Sequence, residues 1–561
     1  MTVLEFECNG SRVACDIDEG ESLLSVLRER LRLTSVKDGC APQGQCGCCT
    51  VLIDGAARVA CVTPAARVHG RSVTTVEGIA AERRTELAEA LCGAGGTQCG
   101  FCTPGIVVRL AAATHTGPAD RSTLDRALAA HLCRCTGWQG IYDALLEPSR
   151  LAPGRDFEVA EHRARLESGT AQVVHPGVAI GDVPFADDLA PADALVAIPR
   201  PPGSDAPGIA AAGVDFVIAE SLLTARAVAG KTQGRRTTMS VEPPIAPRSR
   251  PDGGVTLATS WVEPAYLEVD ASWCRPGGDP ASTLANGGAF GGKVDSVAPR
   301  AARELADRFD RPVRVIYSRE DVVRLGPKRP PIAGTALLDG DTVRLDVVAA
   351  DGVDAQRILN VNALAYGLAV AATFESRPLS GPPTGLLRSP WAEAAVLIEG
   401  ALEVAGFDRH AAVHDVAARA LLDVCVGSPD GAFAGARVHL DGDRIERVEV
   451  RIAAGDPLDE VVLRSYCVGA AHMALGWVLT EGLTVDPETG EIHDLTIRSF
   501  GVLRPKHTPP IEVAIVDDDR QPIARGSDAA FAAVAAATWI AIGLPDRWPA
   551  RDHAVARRLR R

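Results

Sequence analysis

Gly39-Cys-Ala-Pro-Gln-Gly-Gln-Cys-Gly-Cys-Cys49 packs four thiols into ten residues, and Cys61 follows on the second of two predicted strands. A short Gly-rich backbone lets thiolates converge on a soft metal such as iron, with main-chain N–H groups close enough to reach the sulfurs. A second group occurs in Gln98-Cys-Gly-Phe-Cys-Thr-Pro-Gly105 and Leu132-Cys-Arg-Cys-Thr-Gly137. Eight of the fifteen cysteines therefore form two sets, Cys40, Cys46, Cys49 and Cys61, then Cys99, Cys102, Cys133 and Cys135. Their spacing suits two iron–sulfur clusters, which makes the front of the chain an electron wire. Cys48 could replace Cys49 as a ligand.

Around the first set the pattern predicts a β-grasp unit over residues 1–75. Val3–Phe6 and Arg12–Ile17 alternate like half-buried strands about an Asn9-Gly10 turn. Leu23, Leu24, Leu27 and Leu31 share one face of a helix predicted over Ser22–Leu31, with Asp18 and Glu21 as its cap. Thr50–Ile53 and Arg58–Val62 read as further strands, the latter carrying Cys61. From 76 to 147 the spacing turns helical, over Thr85–Leu91, Pro104–Ala113 and Leu124–Leu132. Pro104 suits a first helical turn just after Cys102, and Thr136 is a candidate cap after Cys135. Residues 148–175 read as a linker, from the Pro/Gly content of Pro148–Asp156. Residues 176–561 mix strand and helix patterns in an α+β body, so the fold class is α+β multidomain.

Composition is that of a globular protein, 46% apolar and 23% charged. A net charge of −14 argues against nucleic acid or an anionic membrane as partner, since both need a basic face. The longest apolar stretch, Ala529–Leu544, falls short of the roughly 20 residues that cross a bilayer and reads as a buried helix. Glu5, Glu7 and Asp16 interrupt any apolar leader. A reducing cytoplasm is the expected location, and there metal ligation is favoured over disulfides.

Structural zinc is the rival for both cysteine sets. A zinc ribbon usually shows two similar Cys-x2-Cys pairs, whereas the first set is spaced five, two and eleven residues. The Cys-x-Cys of the second is a tight bite for one ion. Cys8, Cys15, Cys92, Cys274, Cys425 and Cys467 read as small buried apolar residues.

In residues 1–147 the chain resembles the molybdenum hydroxylases, the family of xanthine dehydrogenases and aldehyde oxidoreductases. The segments containing Cys99, Cys102, Cys133 and Cys135 carry that resemblance most strongly. The first loop departs from it, with five residues between Cys40 and Cys46 where the family has four. Further landmarks follow in family order: Phe185-Ala-Asp-Asp188, Glu263-Pro-Ala-Tyr-Leu-Glu268, Asn286-Gly-Gly-Ala-Phe-Gly-Gly-Lys293, Ser318–Pro330, Arg388 and Val468–Leu483.

The resemblance implies a plant-type ferredoxin domain, a helical [2Fe-2S] domain and a shortened molybdopterin-binding-like region. It implies two [2Fe-2S] clusters and a molybdopterin, as a cytosine dinucleotide, with Gln98, Gly287, Gly288, Phe290, Gly291 and Gly292 toward the cofactor. Arg388 would lie near an aldehyde or heterocycle substrate. Electrons would leave to a separate FAD-binding subunit, since no flavin domain separates the cluster region from the large one, and the enzyme would be an oligomer. Two family features are missing. The Met-Gly-Gln-Gly loop has no counterpart, as the only methionines are Met1, Met239 and Met473. The family's catalytic glutamate follows a glycine, whereas here Gly526 is followed by Ser527. Asp528 is the replacement base or, alternatively, the N-cap of the helix beginning at Ala529. Two other readings stand beside the oxidoreductase: an electron-transfer module whose body is an interaction scaffold, and a zinc-stabilised binding protein.

Overall fold

The computed structural model describes all residues except 1, 116, 118, 148–153, 231–233, 235–239, 285, 351–364, 386–389 and 561. The fold is a mixed helix-and-sheet, multidomain one. Its first sheet has the order Ser11–Ile17, Thr2–Cys8, Ser72–Thr74, Thr50–Ile53, Ala56–Val59, with Thr2–Cys8 and Ser72–Thr74 parallel. Leu4, Phe6, Leu23, Leu24, Leu27 and Val51 fill the core between this sheet and the crossing helical segment.

That segment differs from the expected regular helix. It is a short turn, Leu23–Ser25, followed by a wide turn, Val26–Arg30. Its cap is Ser22, whose hydroxyl accepts the Ser25 N–H, while Glu21 folds back to accept the Asp18 N–H. Cys61 also differs. The strand stops at Val59, and Cys61 lies in the 3-10 turn Ala60–Val62, which swings its sulfur toward Cys40 and Cys49.

Four helices follow, Ala81–Gly93, Thr103–Ala113, Arg121–Leu128 and Gln139–Leu146. Pro104 does lie in the first turn of its helix. Thr136 is not a cap, because the helix begins after Trp138, which takes a left-handed conformation. The expected linker, 148–175, contains the helix Phe157–Ser168, capped by Asp156. Composition hides this helix because its buried face is made of Ala160, Ala164 and the ion-paired Arg163 and Glu167.

Among the described residues the large region holds three further sheets. One has the order Ala271–Cys274, Val313–Ile316, Leu195–Pro199, Val214–Ala219, Ile209–Ala211. A second runs Ala369–Arg377, Thr342–Ala350, Ile332–Asp339, Gly254–Thr259, Arg547–Trp548. The third is Val424–Gly427, Phe433–Asp441, Arg444–Ala453, Ile511–Ile515. Three helices, Pro390–Val404, Glu460–Leu479 and Gly526–Ala541, pack in the core beside the last two. Trp477, Trp539 and Trp548 meet edge to face there, with centroids 4.7 and 5.9 Å apart; such pairs contribute about 0.5–1.5 kcal/mol each beyond burial. Glu460–Leu479 is long and apolar enough to cross a membrane, but it is largely buried within the protein. The Gly526–Ala541 helix starts three residues earlier than Ala529, so Asp528 is in its first turn and is not its N-cap.

The front unit docks on the body through buried charges. Arg28 donates to Asp187 and Asp188 at 2.7 and 2.9 Å, Lys37 reaches Asp188 at 2.5 Å, and Arg314 bridges Asp187 and Glu29 at 2.7 Å each. Burial pushes the Asp187 carboxyl up, but Arg314 and Arg28 outweigh it and hold it well below the usual carboxylate range.

Candidate active site and cysteine centres

The thiols of each cysteine set come together. In the second, the Cys99 and Cys135 sulfurs are 3.6 Å apart, and Cys102 touches Cys133. Two thiolates held about 2.3 Å from one tetrahedral metal would be roughly 3.8 Å apart, so each pair fits one iron. In the first set Cys40 contacts Cys46 and Cys61, and Cys61 contacts Cys49. Among the described residues no three His, Cys, Asp or Glu converge on a single ion. The two pairs of the second set suit two bridged irons better than one zinc.

Main-chain donors serve these sulfurs. The N–H groups of Gln45 and Cys46 donate to Cys40 Sγ at 3.3 Å, and that of Cys61 to Cys49 Sγ at 3.4 Å. Contacts with Cys46 and Cys61, together with these donors, hold the Cys40 thiol well below its usual range. Cys102 and then the Thr136 hydroxyl bring Cys133 down to about 6. The Thr103–Ala113 helix begins directly after Cys102, which turns its positive end toward a dianionic centre. Of the two adjacent candidates, Cys49 is the one facing Cys61. Cys48 is buried between the sets, against Cys46 and within the field of Cys99.

A cavity of about 530 Å³ lies against the second set. Cys99, Cys102, Cys135 and Gln98 form one wall, Gly287, Gly288, Phe290 and Gly291 another, and Ser527 with Asp528 a third. Gln98 is fixed by donating to the Cys135 carbonyl at 3.0 Å and to Ser465 at 2.9 Å. Asn286, absent from the sequence-based site, ties the walls together: its amide donates to the Cys99 carbonyl at 2.7 Å and its oxygen accepts the Val173 N–H at 2.9 Å. Positive φ at Gly287, Ala289, Phe290 and Gly291 curls the glycine loop, with the Gly287 and Gly291 N–H groups donating to the carbonyls of Ala171 and Gly288 at 3.2 and 2.9 Å. Gly292 lies behind the wall, where a Cβ would collide with the Tyr266 ring. Cys133 is buried away from the cavity, and Arg388 lies outside the described residues.

Four carboxylates around this cavity are held in ion pairs. Glu481 takes Arg134, the residue between Cys133 and Cys135, in a bidentate pair at 2.5 and 2.7 Å. Glu268 pairs with Lys293 at 2.8 Å, and Glu263 with Arg319. Glu167 pairs with Arg163 and accepts the N–H groups of Gly526 and Ser527 at 3.2 and 2.9 Å. An internal carboxylate thus covers the positive end of the Gly526–Ala541 helix. Asp528 is half-buried on the cavity wall beside Ser527. The Arg134–Glu481 pair could not be read from the sequence, because its partners are 347 residues apart.

Comparison with known proteins agrees with this layout. Residues 75–146 match the [2Fe-2S] binding domain. The chain is 39% identical over 153 residues to the nicotine 6-hydroxylase small subunit of Paenarthrobacter nicotinovorans, covering 27% of this chain and 90% of that one. It is 42% identical over 158 residues to aldehyde oxidase 1 of Cavia porcellus, covering 26% of this chain but 12% of that protein. The match thus spans about an eighth of the aldehyde oxidase's length. The structure superposes on the aldehyde oxidoreductase of Desulfovibrio gigas with a TM-score of 0.72, at 14% identity and 99% coverage of each chain, which establishes a shared fold. With the paired cysteines, the helical cluster-binding segment and the near-complete match to a hydroxylase small subunit, the chain belongs to the molybdenum hydroxylase family.

Proposed function

We propose that the protein is a cytoplasmic iron–sulfur oxidoreductase subunit. It would carry electrons from a molybdopterin-type site, through the second and then the first cysteine set, to an external flavoprotein. One observation carries this reading: Cys99, Cys102 and Cys135 share a cavity with Gln98 and the curled Gly287–Gly291 loop.

The residues present fit such a group in part. The backbone of the curled loop at Gly288–Phe290 and the Gln98 amide oxygen would hold its polar edges, while Cys99 and Cys135 keep a cluster in the same wall. When bound, the group would supply oxidation of an electron-poor carbon by water. Asp528 would take the proton, a role worth about 10²–10⁴ in rate for a positioned base. Ser527 cannot take that proton near neutral pH. The substrate class is an aldehyde or an aromatic heterocycle, and the working form is an oligomer.

The second reading, a non-catalytic electron-transfer module with the body as scaffold, is favoured by Ser527 and by Glu167 at the helix start. Metal and pterin analysis of protein from its native host separates the two. Four irons with one molybdenum and a recovered pterin dinucleotide support the enzyme. Four irons with neither support the module, and zinc without iron would refute both.

A further inference from the structure

The body grips the first cysteine loop at Gln43 and Gln45, two of the five residues between Cys40 and Cys46. The Gln43 side chain accepts the Ile497 N–H at 3.3 Å, and its amide donates to Glu320 at 2.8 Å. The Gln45 side chain accepts the Arg498 N–H at 3.1 Å. Gly44, at positive φ, turns the chain between the two glutamines. On the other flank Asp38 accepts the Ala41 N–H at 3.0 Å and pairs with Arg226 at 3.0 Å.

This dock brings a cation to the peptide next to a cluster sulfur. The Arg498 guanidinium lies 3.5 Å from the Gln45 carbonyl oxygen, although the two residues are 453 positions apart. That carbonyl and the Cys46 N–H belong to one peptide group, and the Cys46 N–H donates to Cys40 Sγ at 3.3 Å. The Gln45 N–H gives the same sulfur a second bond at 3.3 Å. Because a peptide is conjugated, a cation at its oxygen polarises it and strengthens the hydrogen bond that its N–H donates. Burial and then Arg504 pull the Arg498 guanidinium down, and the Cys40 and Cys46 sulfurs oppose them.

We propose that Arg498 is a positioning residue of the first centre, polarising the Gln45–Cys46 peptide toward Cys40 so that the centre accepts an electron more readily. This deepens the proposed function and rests on its reading of the first set as a redox centre. Reduction by one electron adds one negative charge at the sulfurs, so a nearby cation and stronger hydrogen bonds favour the reduced form and raise the potential. The body thus sets the potential of a centre whose four ligands all lie in the front unit.

The test is a redox titration of the full-length protein with its clusters, read by paramagnetic resonance, in which each centre reports its own potential. The docking bond to Gln45 comes from the Arg498 backbone, so substitution removes the charge and leaves the dock. Arg498 is exposed, and solvent damps its field. Arg498→Gln should lower the reduction equilibrium of the first centre about threefold, or about 28 mV at about 59 mV per tenfold for one electron. Arg498→Glu should lower it at least about tenfold, or about 59 mV. Arg498→Lys keeps the charge and should stay within about twofold, or about 18 mV, of the parent. The second centre should hold its potential throughout. The gap between the parent and Arg498→Gln should narrow as ionic strength rises, because screening acts on a charge and not on a lost packing contact. A first potential unmoved in Arg498→Gln and Arg498→Glu alike, an equal shift of both centres, or Arg498→Lys matching Arg498→Gln would overturn the inference. With both signals present those results refute the role of Arg498 alone, whereas protein without iron would refute the redox reading on which it rests.

Discussion

Arg134 joins the second cysteine set to the body, and cutting that tie has a calculable cost. Its guanidinium is 5% exposed and its partner Glu481 1%, with two hydrogen bonds between them and a third, at 2.9 Å, to the Pro264 carbonyl. Glu481 follows the helix Glu460–Leu479, whose Gly476 carbonyl accepts the Glu481 N–H at 2.7 Å. Removing one member of a buried pair leaves an uncompensated charge and costs about 3–5 kcal/mol, whereas replacing both by apolar groups of similar volume is often neutral. Glu481→Leu should therefore lower the opening free energy of the helix by about 3–5 kcal/mol, which is on the order of a hundred- to a few-thousand-fold faster exchange of its amide hydrogens. The double variant Arg134→Met/Glu481→Leu should recover most of that loss. Hydrogen exchange read by mass spectrometry reports both. A single variant costing under about 1 kcal/mol, or a double variant whose loss equals the sum of the single ones, would refute the role given to this pair.

Other outcomes follow from the same packing. A Cβ at Gly469 would overlap the Cys135 carbonyl, so Gly469→Ala should displace the Cys-x-Cys loop; paramagnetic resonance should show the second cluster's signal broadened or lost with the first intact. Cys61→Ser should abolish the first signal alone and Cys48→Ser neither, and loss of a signal in the latter would reverse the ligand assignment. His472 is held neutral with its Nε2–H on the Leu503 carbonyl at 3.2 Å, burial and then Arg134 lowering it to about 3. The unfolded chain takes up that proton near pH 6.5 and the folded one does not, so stability falls as pH drops from about 6.5 toward 3. The loss is about 2 kcal/mol by pH 5. His472→Gln should flatten that part of the profile, and an unchanged slope in denaturation would contradict the burial argument.

Local signals carried far. Alternation about Asn9-Gly10 predicts the hairpin that Thr2–Cys8 and Ser11–Ile17 form. Pro104 marks its helix start, and the cysteine spacings predict which thiols meet. The same local reasoning placed Cys61 on a strand and Asp528 at a cap, because the end of an element depends on what it packs against. It took 148–175 for a linker, since a helix whose inner face is alanine and an ion pair has no apolar stripe to show.

The sequence alone determined that two sets of thiols exist and that short glycine-rich loops present them, because ligand identity and backbone freedom are properties of neighbouring residues. Only the tertiary structure decided which distant groups these carboxylates and amides meet. Glu167 meets Ser527, Glu481 meets Arg134 and Gln45 meets Arg498 across hundreds of residues. A charge in a buried wall takes its basicity from whichever partner the fold brings beside it.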